Sequence, residues 1–488
     1  MPEISRRFSI CYNKLMTKNK YYLTTAIPYI NAKPHIGHAL EYVIADAIHR
    51  YQEEIGYDVR FISGADENAL KNVQAAETSN TKLPVFLDKY SKIFSDFYKL
   101  LNVDLDEYRR GTDKKNHWPG VQKIWELAYK NGDIYKKKYK GLYCIGCASF
   151  KTKKDLVDGK CPNHDKKPEP VEEENYFFKL SRYHTKLIKL IESNEYKIYP
   201  QKRKNEILSF IKSGLEDFSI SRSNKRAKGI GVPILDDNSQ KIYVWFDALT
   251  IYMTASGWGY DNKLWKKWWP ADLHIIGKDI IRFHAVYWPA MLLSAGLSLP
   301  KELLVHGFVS SGGRKMSKTL GNIVDPYEII EKYGVDPLRY FLLSQIPTLD
   351  DGDFTIKQFE SVYQADLANG LGNLIARVAK LCEKVELKTA NTNSFSASYE
   401  KGFKEFRISD VLLSIRDEVT VLDKKINETE PWTIKDRKKL AKVLQPLVND
   451  IRQISYQLKP FLPKTAEKIE KQFRGANIKS AKPLFPRL

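Results

Sequence analysis

The hydrophobic positions at the start of the chain form a strand, a break and a helix. Residues 22–27 are an apolar, β-branched run; Pro28 and Pro34 interrupt it. From Gly37 onward Ala39, Val43, Ala47 and Ile48 recur at helical spacing. A second buried run, 57–63, ends in Gly64-Ala65-Asp66-Glu67-Asn68 and leads into a helix over 69–78. Three more runs follow far downstream. Residues 242–246 predict a strand ending at Asp247-Ala248, with Tyr252 on the helix after it. Residues 272–277 predict a strand that turns at Gly277-Lys278-Asp279 into a helix with Phe283, His284, Tyr287, Trp288 and Met291 along one face. Residues 303–309 predict a last strand. Strands alternating with helices, with small residues at the strand ends, predict an α/β fold with a doubly wound, Rossmann-like parallel sheet that collects ligands at the carboxyl ends of its strands.

Between 113 and 241 the pattern changes to mixed basic and aromatic segments, an insertion into the sheet. Residues 325–356 read as short helices with turns at Gly334, Pro337 and 350–353. Beyond them the chain is almost wholly helical, with a surface loop at 388–398 and no internal repeat. The expected organisation is an N-terminal extension (1–20), a first catalytic half (21–113), a connective insertion (114–240), a second catalytic half (241–310), a loop and stem-contact region (311–355) and a C-terminal helical bundle (356–488).

Length and charge narrow the classes. At 488 residues the chain needs more than one core, and 79 Lys and Arg against 59 Asp and Glu give +20, which points to a polyanionic partner such as nucleic acid. Cys11, Cys144, Cys147, Cys161 and Cys382 do not form a disulfide framework, so a reducing compartment is expected. No apolar stretch is long enough to span a membrane. The first twenty residues lack a secretory core and read as a disordered tail or as sequence ahead of a start at Met16.

Several clusters carry candidate chemistry. His35 and His38 lie at a helix N-terminus, where free N–H groups and the helix dipole suit a phosphate, although such pairs are commonly ordinary surface or core residues. Lys315 and Lys318 sit three apart behind Gly312-Gly313, with Ser317 and Thr319 as further donors. That spacing suits a mobile clamp on a polyphosphate, or simply a solvated basic loop. Asp66, at a strand end, is placed either to meet a cation or to cap the next helix. Trp245, Tyr252, Phe283 and Trp288 follow strand ends; such stripes are usually core, but a pocket of this kind also suits a thioether. Cys144-x2-Cys147, thirteen residues, then Cys161-x2-His164 is a closed tetrahedral donor set for structural Zn²⁺; cobalt or iron could use the same ligands. Asn369, Asn373 and Arg377 recur every four residues, and Trp432 follows Pro431. They can meet unpaired bases, or form a solvated face and a core tryptophan.

Taken in order, PYINAKPHIGH, GADEN, the Cys/His knuckle, YVWFDA, IIGKDIIRFHAVYWPAML, KMSKT, DLANGLGNLIAR and ETEPW resemble the methionyl-tRNA synthetase family of class I aminoacyl-tRNA synthetases over residues 21 to about 460. The resemblance implies ATP-dependent activation of methionine and its transfer to the terminal adenosine of methionine tRNA, initiator and elongator, with Mg²⁺ on the polyphosphate and Zn²⁺ as a structural ion. It implies that His35, His38, Lys315 and Lys318 carry adenylate formation, and that Gly37, Gly277 and Asp279, with Ser317, line the ATP site. Ala26, Ile27, Tyr29, Asp66, Trp245, Ala248, Tyr252, Phe283, His284 and Trp288 would form the methionine pocket, and Asn373, Arg377 and Trp432 would read the CAU anticodon. The family's GTDEHG stands here as GADENA, so Asn68 and Ala69 replace a histidine and a glycine. Without an appended oligonucleotide-binding barrel after Leu488, a cytoplasmic monomer is expected. The competing readings are a non-catalytic tRNA-binding paralogue and a class I synthetase of altered amino-acid specificity.

Overall fold

The computed structural model describes residues 19–146, 149–151, 155–162, 165–315, 324–388 and 394–487. Strand β1 (Lys20–Thr25) leads into the helix Ile36–Glu54, β2 (Asp58–Ala65) into the helices Leu70–Thr78 and Leu83–Leu100, and β3 (Glu107–Arg110) into Trp118–Lys130. An antiparallel sheet follows, built from β4 (Ile134–Cys144), β5 (Ser149–Lys151), β6 (Glu169–Phe178) and β8 (Phe218–Ser219), with β7 (Lys197–Tyr199) threaded between the last two in sequence. Strands β9 (Ser221–Ser223), β10 (Pro233–Ile234) and β11 (Asp237–Ile242) make a second small sheet. Then come β12 (Leu273–Gly277), β13 (Glu302–His306), the hairpin β14 (Val309–Ser311) and β15 (Arg314–Lys315), and β16 (Gly352–Asp353) beside it.

The organising sheet runs β3-β2-β1-β12-β13-β7, parallel throughout. The sequence reverses direction about β1 and β12, where a sheet of this type opens a crevice at its carboxyl edge. Both faces are covered. Leu23, Phe61, Ile275 and Leu304 join one core, with the helix Ile36–Glu54 and the C-terminal helices. Their strand neighbours Tyr22, Ile62, Ile276 and Leu303 join the other, with Trp245 and Phe246. Two buried faces are the reason these strands read as unbroken apolar runs.

Several expectations are corrected. The run 242–246 is not a strand: β11 stops at Ile242, and Val244–Thr254 is a helix with every residue buried. A helix enclosed on all sides has no polar stripe, so its sequence is indistinguishable from that of a buried strand. The 303–309 strand is broken after His306, because Gly307 passes so close to the Asp350 backbone that a Cβ would clash at 2.1 Å. Phe283–Tyr287 is a π-helical turn ahead of the helix Trp288–Ser294, and Tyr363–Gly372 is π-helical as well. The wider turn takes Phe283 out of helical register with Trp288 and Met291, and Asn369 out of register with Asn373 and Arg377. Pro337 lies in the first turn of the helix Val335–Gln345 rather than between helices.

The C-terminal helices are tied to the sheet by one buried charge cluster. Asp46, on the helix after β1, meets Arg339 at 2.6 Å and Arg50 at 2.8 Å, with Asp46 and Arg339 fully buried. Arg339 also donates to the carbonyls of Leu101, Pro460 and Phe461. Burial alone would raise the Asp46 carboxyl; the two guanidiniums outweigh it and hold it below the usual range. No helix among the described residues is long and apolar enough to cross a membrane.

Candidate active site

The helix Ile36–Glu54 begins at the carboxyl end of β1, and the two histidines cap it. His35 Nδ1 accepts the Gly37 N–H at 3.0 Å, and His38 Nδ1 accepts the His35 N–H at 3.1 Å. A neutral imidazole whose Nδ1 is an acceptor carries its proton on Nε2, so both rings present Nε2–H donors. Their centroids lie 4.0 Å apart. His35 keeps an edge open to solvent while the packing around it lowers its pKa. His38 is pushed well below the ordinary value by burial and then by His35 and His306. Neutral donors beside an open helix terminus suit charge that develops on a phosphoryl group. A Cβ on Gly37 would lie 2.9 Å from the His35 ring, so a larger residue would push that ring from its place.

Glu41, one turn further, was not singled out in the sequence, yet it joins three elements. Its carboxylate accepts the Ala26 N–H at 2.9 Å and, on the other oxygen, His306 Nε2 at 2.9 Å. His306 Nδ1 lies 2.7 Å from the Gly307 carbonyl. Since both acceptors lack protons, both ring nitrogens donate, which makes His306 an imidazolium. Burial disfavours that charge, but Glu41 outweighs it and the pKa is raised. The pair binds the helix after β1 to the end of β13, just before the hairpin. There Gly312 and Gly313, both at positive φ, make the turn and donate to Asp353 at 3.1 and 2.9 Å. Lys315 ends β15; Ser317, Lys318 and Thr319 lie outside the described residues. Gly277 ends β12 next to Asp279 and His306.

An aromatic cluster packs beside β1. Trp245 stacks on Phe283 at 3.7 Å, and Tyr29 meets Trp245 edge-on at 6.3 Å. Tyr252, on the same helix as Trp245 and Ala248, places its hydroxyl 2.8 Å from His284 Nε2. His284 Nδ1 donates to the Ile280 carbonyl at 3.0 Å, and burial takes its pKa down to about 4, so the ring stays neutral and accepts from Tyr252. Trp288 donates to His274 Nε2 at 3.3 Å, and His274 Nδ1 bonds Thr24 at 2.7 Å. Ala26, Ile27 and Tyr29 remain half-buried at the rim.

Asp66 follows β2 and is buried. It is not a helix cap: Ala69 is the N-cap residue of Leu70–Thr78, without a side-chain bond. Its backbone is bridged to Tyr29. Burial, and then the charge of Asp247, raise its carboxyl well above the usual range, against an opposing pull from Lys71. The structure thus gathers His35, His38, Ala26, Tyr29, Asp66, Trp245, Tyr252, Phe283, His284, Trp288 and Gly277 around the carboxyl edge of β1, β2 and β12. Sequence reasoning missed Glu41, His274, His306, Asp247, His117 and Asp353. Of these only the Glu41 position, one turn after His38, carried a local signal.

The remaining candidates lie elsewhere. Cys144 closes β4 and Cys161 sits in a short antiparallel bridge with Lys166; both are buried, while Cys147 and His164 lie outside the described residues. Asn373 opens the helix Asn373–Cys382. Arg377 bonds Asp423 at 2.7 Å and Asn427 at 2.6 Å, with its guanidinium 5.8 Å from the ring of Trp432, which is 47% exposed.

Comparison with known proteins accords with this arrangement. Residues 21–167 and 152–379 match the family model described as tRNA synthetases class I (M). The chain is 41% identical to the methionine–tRNA ligase of Clostridium acetobutylicum, covering 96% of this chain and 78% of that one. It is 39% identical to that of Brucella suis, covering 97% and 98%. Mycobacterium tuberculosis methionyl-tRNA synthetase, solved in complex with methionyl-adenylate, superposes with a TM-score of 0.88 at 34% identity, over 96% of this chain and 100% of that one. With the family model matched over most of the length and relatives near 40% identical over nearly all of this chain, it belongs to the methionine branch of the class I tRNA synthetases.

Proposed function

We propose that the chain activates methionine with ATP and transfers it to the terminal adenosine of methionine tRNA. The observation that carries this reading is the junction at β1: two neutral Nε2–H donors on a helix terminus, beside an aromatic pocket with a buried carboxylate at its rim. In the first step the methionine carboxylate attacks the α-phosphorus of ATP and pyrophosphate leaves. His35 and His38 donate to the charge building on the phosphoryl oxygens. Gly37 and Gly277 leave backbone bare for the adenosine, with Asp279 beside it, and Lys315, Ser317 and Lys318 are read as ligands of the polyphosphate. Mg²⁺ supplies charge neutralisation when bound with ATP. Asp66 takes the substrate ammonium. Ala26, Ile27, Tyr29, Trp245, Ala248, Tyr252, Phe283, His284 and Trp288 enclose the thioether through shape and sulfur–aromatic contact.

Beyond the catalytic centre, the buried thiols of Cys144 and Cys161 fit two corners of a tetrahedral Zn²⁺ site completed by Cys147 and His164. Such an ion would hold the tip of the insertion and takes no part in the reaction. Asn373, Arg377 and Trp432 are read as the anticodon face. One chain carries both signature motifs and the pocket, which supports a monomer, and unoxidised zinc thiolates suit the cytoplasm. ATP–pyrophosphate exchange measured against methionine, leucine, isoleucine and cysteine tests the reading. Exchange is expected with methionine and falls on prolonged chelation of zinc; absence of exchange with methionine refutes it.

A further inference from the structure

The turn at residues 350–353 lies outside the pocket, yet each of its three carboxylates is committed to a different element. Asp350 meets Lys202, on the helix Gln201–Lys212 of the insertion, at 2.7 Å. Asp351 pairs with Lys278 at 2.5 Å and accepts the Phe308 N–H at 2.9 Å. Asp353 accepts the Gly312 N–H on Oδ2 at 3.1 Å, and on Oδ1 the Gly313 N–H at 2.9 Å and the Ser310 hydroxyl at 2.7 Å. The backbone follows the same line: the Gly352 N–H donates to the Phe308 carbonyl at 3.0 Å, and the Phe354 N–H to that of Ser310 at 2.9 Å. One short turn thus grips both the residue between Gly277 and Asp279 and the tip of the β14–β15 hairpin. That hairpin has little else to hold it. It pairs only Ser310 with Lys315 and Ser311 with Arg314, and its sole further strand neighbour among the described residues is β16, with Ser310 opposite Asp353. Gly312 and Gly313, at φ of 62° and 70°, supply the left-handed pair that a two-residue turn needs, but an isolated two-stranded hairpin is marginal in water. Both glycines are exposed, so without Asp353 their N–H groups would turn to water at little cost to the fold, and the direction of the strand that ends at Lys315 would be lost.

We propose that Asp353 is a positioning residue for ATP: by holding the Gly312–Gly313 turn it aims the strand that ends at Lys315, and with Asp351 on Lys278 it fixes the span between the adenosine end and the polyphosphate end of the nucleotide. This rests on the reading of Gly277 and Asp279 as adenosine contacts and of Lys315 as a polyphosphate ligand. Asp353 acts through the hairpin and not on the nucleotide, because its oxygens are already taken by two backbone N–H groups and a hydroxyl. The division of labour within the turn follows from its partners. Asp351 serves the adenosine side through Lys278, and Asp353 serves the polyphosphate side, so loss of Asp353 leaves the adenosine side as it was.

Asp353→Ala in the full chain tests this by pyrophosphate exchange. The kcat/KM for ATP should fall by up to about 100-fold, the loss that a misplacement of about 1 Å can cause. The KM for pyrophosphate should rise with it. The KM for methionine should match the parent, and so should inhibition by adenosine, which has no polyphosphate to misplace. A general loosening of the fold would shift all four constants together; that outcome, or unchanged constants for ATP and pyrophosphate, overturns the proposal. Asp353→Asn grades the effect. Its one remaining acceptor can serve Gly313 and Ser310 but not Gly312, so its loss for ATP should fall between those of the parent and the alanine variant. Should the alanine variant not fold, the asparagine variant decides by the same four constants. Lack of exchange with methionine by the parent overturns instead the substrate reading on which the proposal rests.

Discussion

The amino-acid pocket and the anticodon face are built on opposite rules. Around the pocket three imidazoles are engaged on both nitrogens: His284 between Ile280 and Tyr252, His274 between Thr24 and Trp288, His306 between Glu41 and Gly307. Burial lowers the first two and leaves them neutral, and His306, facing the Glu41 carboxylate, is held charged. On the helical face Trp432 is nearly half exposed and Arg377 is held by side chains at the surface. A site for a small apolar side chain gains from being dry and set in advance, because its few polar groups then cost no reorganisation during the reaction. A face for a polymer with stacking bases has to keep its groups within reach of solvent, where each contact is weaker and screened. Removing a group should therefore cost most in the interior and least on the helical face.

The largest effect is expected from Glu41→Ala. It strands a buried imidazolium and the Ala26 N–H together, and loss of one partner of a buried pair costs about 3–5 kcal/mol. Denaturant unfolding measures this directly. The pH dependence has a definite sign. The folded pKa of His306 is raised above its ordinary 6.5, so its contribution is full below that value and is lost as pH rises through the folded value. The gap between parent and variant should narrow toward alkaline pH; a gap that widens there rules out the imidazolium. His38→Ala comes next. Loss of one transition-state donor lowers the rate of pyrophosphate exchange about 10²–10³-fold. tRNA binding should be unchanged, and a variant equal to the parent in both assays would favour a binding paralogue.

The ranking also separates what the sequence discloses from what it hides. The parallel strands β1, β2, β12 and β13 were legible because two covered faces leave an apolar run closed by a small residue, as at Gly64 and Gly277, whereas β3 and β7, short and rich in charged residues, were missed. The same logic misassigned 242–246, since a helix buried on all sides offers the same run. That error placed Trp245 and Asp247 at a strand end, when they share one helix with Tyr252. The π-helical turn at Phe283–Tyr287 has no composition of its own and could not be seen. Individual site residues fared by locality. His35 and His38 stand in one helix cap, and the signature identifies them. Glu41 and His306 are 265 positions apart, and nothing near either one announces the other. Asn68 looked like a lost histidine; its amide in fact bridges Asp247 and Gly111.

Trp432→Ala should give the smallest effect, and one confined to tRNA. The ring is 47% exposed, with the Arg377 guanidinium 5.8 Å from its centre, so its removal opens no cavity and leaves Arg377 its bonds to Asp423 and Asn427. What is lost is a platform for one base, worth about 1–3 kcal/mol. The affinity for methionine tRNA should fall about 5- to 150-fold, 1.4 kcal/mol being tenfold. Pyrophosphate exchange needs no tRNA and should match the parent in rate and in KM for methionine. If exchange fell together with tRNA binding, the exposed face and the buried pocket would be energetically one unit, and the contrast between them would fail.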